Sequence, residues 1–111
     1  MTAVLLGFDF DGVFDCGSPI GPLSREIFNR FAVLLNIGVC IVSDSANCKW
    51  DDVPRVATPN RRGNLMEFRR RFPEALIRIY VSDNKDYAEA DAAGFTYVEA
   101  NEFAKGIKEE Q

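Results

Sequence analysis

Ala3-Val-Leu-Leu-Gly-Phe8-Asp9-Phe10-Asp11-Gly12 opens with six residues that carry no polar side chain and runs straight into two carboxylates. Apolar residues at both odd and even positions predict a strand buried on both faces, because a strand with one wet face alternates with period two. Such strands belong to parallel sheets sandwiched by helices. Downstream, Gly12 to Pro22 is rich in Gly and Pro and reads as a loop or hairpin flap. Ser24 then caps a helix that carries Ile27, Phe28, Phe31, Leu34 and Leu35 on one face and ends at Asn36 to Gly38. Val39 to Val42 is a second buried strand, with Ser43-Asp44-Ser45 at its exit. Between Ala46 and Asn60 the pattern predicts one helical turn at Cys48 to Asp52 and a short strand at Arg55 to Ala57. Asn64 to Phe72 is helical and closed by Pro73, Leu76 to Val81 is a strand, and Lys85 to Ala93 is a helix stopped by Gly94. Phe95 to Val98 is the fourth strand, and Asn101 caps a last helix. The order β-α-β-α-β-α-β predicts an α/β fold: a three-layer parallel sheet with right-handed crossovers and helices on both faces.

A chain of 111 residues accommodates one domain, here residues 1–111, and a balance of 47% hydrophobic and 27% charged residues excludes disordered and low-complexity classes. There is no histidine, which removes Ser-His-Asp triads, His-paired cysteine nucleophiles and most zinc sites. The three cysteines, Cys16, Cys40 and Cys48, have no CxxC spacing and support neither a disulfide framework nor a zinc knuckle. Carboxylates, hydroxyls and oxygen-loving metals remain as the available chemistry. The net charge of -4 argues against attraction of the whole molecule to nucleic acid or an anionic membrane. The longest apolar stretch, Ala3 to Phe8, is far short of a membrane span and lacks the flanks of a signal peptide, so the expectation is a soluble cytoplasmic protein with no membrane partner.

In open parallel sheets, ligands bind outside the carboxyl ends of the strands. The residues leaving those ends are Asp9 and Asp11, Ser43 and Asp44, and Ser82, Asp83 and Asp86. Residues two apart on an extended segment share a side, so Asp9 and Asp11 face one crevice, and their repulsion calls for a cation. With Asp83 from a third strand end, the set suits Mg²⁺, which takes a few carboxylates plus water and phosphate oxygens. Acids that merely cap helices or dress loops do not explain two carboxylates placed directly after a buried strand, where solvation is incomplete.

Phe8-Asp9-Phe10-Asp11-Gly12-Val13 resembles the DxDG signature of the haloacid dehalogenase superfamily. Ile41-Val42-Ser43 is similar to its second motif, an apolar strand ending in Ser or Thr. Tyr80 to Asp86, followed by the Ala-rich stretch Ala88 to Gly94, is similar to its fourth. The likeness spans about residues 3–100 in the right order. It implies a Rossmann-like core and a Mg²⁺-dependent phosphatase, in a family whose members often carry an inserted cap domain. In that reading Asp9 is the nucleophile that forms an aspartyl-phosphate, Asp11 the general acid and base, and Ser43 a ligand of the phosphoryl oxygens. Asp9, Asp11 (by family analogy through its main-chain carbonyl), Asp83 and Asp86 are the residues assigned to the metal. Two departures stand out. Ser82 occupies a usual Gly position and only two residues separate Asp83 from Asp86; and the third motif's lysine is missing, its region reading Pro59-Asn60-Arg61-Arg62-Gly63. Arg62, or Lys49 swinging in from the loop after Ser43, is the expected replacement, with Arg61 held in reserve. An arginine's planar fork is not equivalent to an ammonium.

Only 31 residues separate Asp11 from Ser43, and 18 separate Ser43 from Arg62, too few for an inserted cap. The site should be open, covered at most by the 13–22 flap. That suits a phosphorylated substrate presented on something large, a nucleic acid end or a protein, unless a second copy of the chain closes over it as a homo-oligomer. Arg62, Arg69, Arg70, Arg71 and Arg78 offer a basic patch for such a partner, although Glu67 is spaced to pair with Arg71. Trp50 and Cys40 read as packing residues. The competing reading is a non-catalytic domain of the same fold that binds phosphate, metal or a protein. A receiver-type phosphoacceptor wants its acid where Ser43 stands, and a Toprim-like domain places DxD late, so both fit the motif order less well.

Overall fold

Val4–Phe8 forms β1 and takes an interior place in a four-stranded, all-parallel sheet. The computed structural model describes residues 1–109. After β1 come α1 (Arg25–Ala32), β2 (Ile37–Ile41), α2 (Arg61–Arg71), β3 (Ile77–Ser82), α3 (Tyr87–Ala93), β4 (Thr96–Glu99) and α4 (Ala100–Glu109). The strand order is β2-β1-β3-β4, with Phe8 flanked by Ile41 on one side and Val81 on the other.

The two-sided burial of β1 explains its unbroken apolar run. Leu6 and Phe8 point to one face, where they join Val39, Ile41, Val81, Phe28 of α1 and Ala100 and Ala104 of α4. Leu5 points to the other and meets Cys40, Tyr80, Leu65 and Phe68 of α2, and Ala90 and Ala93 of α3. Helices therefore cover both faces. The first face is strongly aromatic: Phe14 lies 5.5 Å from Phe8 and 4.9 Å from Trp50, and Phe28 lies 5.8 Å from Phe8, at tilted angles that suit ring quadrupoles.

Several boundaries differ from the sequence expectation. α1 ends at Ala32 because Leu34 N–H already bonds back to Phe31 O in a tight turn, and this leaves Leu34 and Leu35 exposed instead of on the packed face. β2 starts two residues early, since Ile37 and Gly38 find partners in Val4 and Leu5. α2 starts at Arg61, because the Asn60 side chain caps it by accepting from Gly63 N at 2.8 Å. No helical turn forms at 48–52. Instead Arg25 stacks over Trp50 at 4.7 Å and makes two bonds to Asp52, at 2.8 and 2.9 Å, which tie that loop to α1. The expected strand at 55–57 shrinks to one bridge between Arg55 and Ile41. Asn101 lies inside α4; Glu99 caps it, accepting from Asn101 N at 2.7 Å, an acid where the helix dipole favours one. Among the described residues no helix is long and apolar enough to cross a membrane.

Candidate functional site

From β1 the chain crosses to β2 on one side and then returns to β3 on the other, so the loops leaving β1 and β3 diverge and open a crevice at their carboxyl ends. Asp9 stands there, only 3% exposed. Its Oδ1 accepts from its neighbour's backbone, Phe10 N, at 2.8 Å. Its Oδ2 accepts from Asn84 Nδ2 at 2.9 Å, and Arg61 Nη2 and Ser82 Oγ both lie 3.4 Å away. Burial pushes the Asp9 carboxyl above its ordinary value, against Arg61 and the Phe10 N–H, which pull it down; Asp83 adds to the rise.

Arg61 is the cation of the site. It reaches Asp9 with Nη2 and Asp86 Oδ1 with Nη1, each at 3.4 Å. Burial opposes its charge, but Tyr80, Asp9 and Asp86 around it outweigh that and strengthen its hold on the proton. The expected replacements for the lysine do not stand here. Arg62 pairs with Glu89 at 3.3 Å, because adjacent helical residues point about 100° apart and only one of them can face the crevice. Lys49 is exposed on the 46–60 loop, with no ion pair among the described residues. The start of α2 is itself anchored: Asn64 donates to Thr58 O at 2.8 Å and accepts from Thr58 Oγ1, which places Arg61 in the first turn, above Asp9.

Asp11 lies on the rim. Its Oδ1 accepts from Ser18 N of the flap at 3.0 Å and from Asn47 Nδ2 at 2.9 Å. Partial burial raises this carboxyl, yet the bonds from Ser18, Ser45 and Asn47 prevail and hold it below its ordinary value. Ser43 is buried and adjacent to Asp9, and its Oγ accepts from Ser45 N at 3.1 Å. Behind it Arg55 grips the loop, donating to Ser43 O at 2.9 Å and Ser45 O at 2.8 Å.

Asp83 packs against Gly12, whose φ is +76°; a Cβ at Gly12 would overlap the Asp83 carboxylate, so the position needs both the left-handed backbone and the missing side chain. Burial raises the Asp83 carboxyl, and its Oδ1 is buried without a hydrogen-bond partner. Asp86 departs from the metal-ligand expectation. Its Oδ1 faces Arg61, and its Oδ2 accepts from Ser82 Oγ at 3.0 Å and lies 3.4 Å from the Tyr80 hydroxyl. With only two intervening residues the chain has already turned into α3, which brings Asp86 back beneath Ser82.

No family model, curated protein or solved structure matches this chain. The groups the site offers to a metal are oxygens, and an orphaned buried oxygen on Asp83 beside a desolvated Asp9 fits a hard divalent cation by ligand type. The four carboxylates of Asp9, Asp11, Asp83 and Asp86 do not converge: the Asp11 side chain is turned to the flap, so only its main-chain carbonyl stays open to a metal, and Asp86 is turned to Arg61. Among the described residues no three acidic, Cys or His side chains are grouped closely enough to hold a metal.

Asn84, Asn47, Tyr80 and Arg55 escaped the sequence reading. Asn84 had a usable signal, a polar amide inside the acidic strand exit. The other three are brought in by loop and strand geometry that no local pattern announces. The arginine patch is largely engaged: Arg69 and Arg78 donate to Ala93 O and Gly94 O, while Arg70 and Arg71 both pair with Glu67.

Proposed function

We propose that this chain is a Mg²⁺-dependent phosphohydrolase with a capless core of the haloacid dehalogenase type, working through an aspartyl-phosphate on Asp9. The observation that carries the reading is a desolvated aspartate at the switch point of a parallel sheet, with an arginine, an amide and a backbone N–H converging on its two oxygens.

The chemistry follows from the residues. A phosphomonoester entering the crevice places its dianion against Arg61 and the Ser43 hydroxyl, which relieves the charge that Asp9 must approach. An Asp9 oxygen forms a bond to phosphorus as the ester P–O bond breaks. Asp11 is ionised at rest, but the incoming phosphate raises its proton affinity, so it takes up a proton and delivers it to the leaving oxygen. As a carboxylate again, it accepts a proton from water whose oxygen attacks the phosphorus, and this frees inorganic phosphate and Asp9. Asp9 and Asp83 would be the residues to hold Mg²⁺, which would supply further neutralisation of the phosphoryl charge. Asn84 and Ser82 keep Asp9 oriented. Among the described residues no folded insert lies between β1 and α1 or between β2 and α2, so the substrate meets an open crevice.

Two observations favour the alternative, a non-catalytic phosphate- or protein-binding domain: Arg61 already neutralises Asp9, and among the described residues no metal-holding cluster is preformed. Hydrolysis of p-nitrophenyl phosphate separates the two. The hydrolase reading expects turnover that is lost with EDTA, restored by Mg²⁺ and abolished in Asp9→Asn, a variant that folds because it removes a buried charge at constant volume. Absence of turnover at every Mg²⁺ concentration, or an Asp9→Asn variant of wild-type rate, refutes it.

A further inference from the structure

Beside the crevice, on the β4 side of the loop that follows β3, lies a groove of about 660 Å³ lined by Tyr87, Ala88, Asp91, Phe95, Thr96 and Tyr97. Its aromatic wall is a pair: the rings of Tyr87 and Tyr97 are 4.5 Å apart, and Tyr87 is 57% exposed at the first position of α3. Tyr87 rests against Tyr97 yet keeps more than half of its surface open to solvent, which leaves ring area free to meet a ligand. The groove is joined to the site by an unbroken chain of contacts. Asn84 touches Asp9, Lys85 N–H donates to the Tyr97 hydroxyl at 3.0 Å, and that hydroxyl donates to Ser82 O at 3.0 Å. Lys85 sits between the two places in the left-handed backbone region, φ +56°, exposed and without an ion pair among the described residues. A cation on that rim complements an anionic substrate passing over it.

Resting on the hydrolase reading, we infer that the Tyr87–Tyr97 groove is the leaving-group site and that it takes the base of a phosphorylated nucleoside, its phosphate lying at Asp9. Spacing decides the class. β1 and β4 are separated by β3, two strand intervals or about 10 Å across the sheet, and the register sets Tyr97 beside Tyr80 and so level with Gly7, two residues before Asp9, which lengthens the span. An aryl phosphate or a phosphotyrosine has its ring directly on the ester oxygen and does not reach that far. A nucleoside places a sugar between phosphate and ring, and its flat base stacks on an exposed tyrosine whatever its sequence identity.

The test compares adenosine 5′-monophosphate with ribose 5-phosphate, which differ only by the base. The wild type should favour the nucleotide in kcat/KM by about 5- to 150-fold, the range of one base stacked on one aromatic ring. Tyr87→Ala should erase most of that ratio, and Tyr87→Phe should keep it. Ring signals of Tyr87 in the NMR spectrum of Asp9→Asn should shift on addition of adenosine 5′-monophosphate and not of ribose 5-phosphate. A 5′-phosphorylated oligonucleotide turned over faster than the mononucleotide assigns the base to a nucleic acid end, and the reverse assigns it to a free nucleotide. A ratio near one, a ratio untouched by Tyr87→Ala, or unmoved Tyr87 signals overturns the groove assignment. Shifted signals without turnover of either ester keep the nucleotide site and overturn the hydrolase reading instead.

Discussion

Replacing Arg61 with Met tests the electrostatics of the site without needing a substrate. Arg61 lies 3.4 Å from Asp9 and 3.4 Å from Asp86, and at an effective dielectric of 20 each contact is worth about 5 kcal/mol of attraction before desolvation. Most of that is offset by the cost of bringing the charges out of water, and breaking a fully buried pair costs about 3–5 kcal/mol. Here the contacts are long and the Arg61 side chain is 31% exposed, so the loss should be about 1–3 kcal/mol. The pH dependence gives the sharper signature. Asp9 is already raised from 3.8 by burial, with Arg61 pulling it down; without Arg61 it rises further. A folded acid with a raised value is at its best below its unfolded value and loses stability as pH climbs through the folded one. Urea midpoints measured from pH 4 to pH 8 should therefore nearly coincide for wild type and Arg61→Met at the acid end and separate towards neutrality. Adding Asp9→Asn to Arg61→Met should recover part of the loss. A destabilisation of equal size at every pH, with no recovery in the double variant, would mean that Arg61 contributes packing and not charge.

Gly12→Ala should lose about 1–3 kcal/mol from the left-handed φ of +76° and from overlap with the Asp83 carboxylate, and it should weaken Mg²⁺ binding measured by calorimetry; wild-type stability and affinity would contradict the close packing of Asp83 on that glycine. Of the three thiols, exposed Cys16 alone should react with a chromogenic disulfide in native protein, faster as pH rises because partial burial and Asp15 hold its thiol above its ordinary value. Cys40, buried and pushed up to about 12, and buried Cys48 should react only on unfolding.

The fold was legible where one physical pattern dominates. The unalternating run at Ala3 to Phe8 spoke for a strand buried on both sides, and Gly94 ended α3 with a φ of +81°. Legibility failed where tertiary contacts outweigh local pattern. Leu34 and Leu35 continue a helical period that the turn into β2 cuts short, and nothing local tells that Arg25 will reach across to Asp52 and Trp50. The site divides in the same way. The placement of Asp9, Ser43 and Asp83 at strand exits follows from the strands themselves. Which of two adjacent arginines faces Asp9 depends on where α2 begins, and Asn60 and Thr58 decide that through their side chains. The turn of Asp86 towards Arg61 likewise depends on where α3 starts.

The segment between β1 and α1 is no separate piece of covering. Phe14 is fully buried at the centre of the aromatic cluster, and four backbone bonds knit its surroundings: Gly12 to Pro19, Asp15 to Leu23, Gly21 to Phe14 and Leu23 to Val13. Asp11 hangs from this knot through Ser18. Local opening would have to expose Phe14 and break that network at once, so the loop belongs to the same cooperative unit as the sheet. Amide hydrogens of Gly12, Asp15 and Leu23 should exchange with solvent only as fast as those of β1, through global unfolding. The rim carboxylate of Asp11 is thus assembled with the core, in a single event, and any substitution that loosens the aromatic cluster reaches Asp11 without touching it.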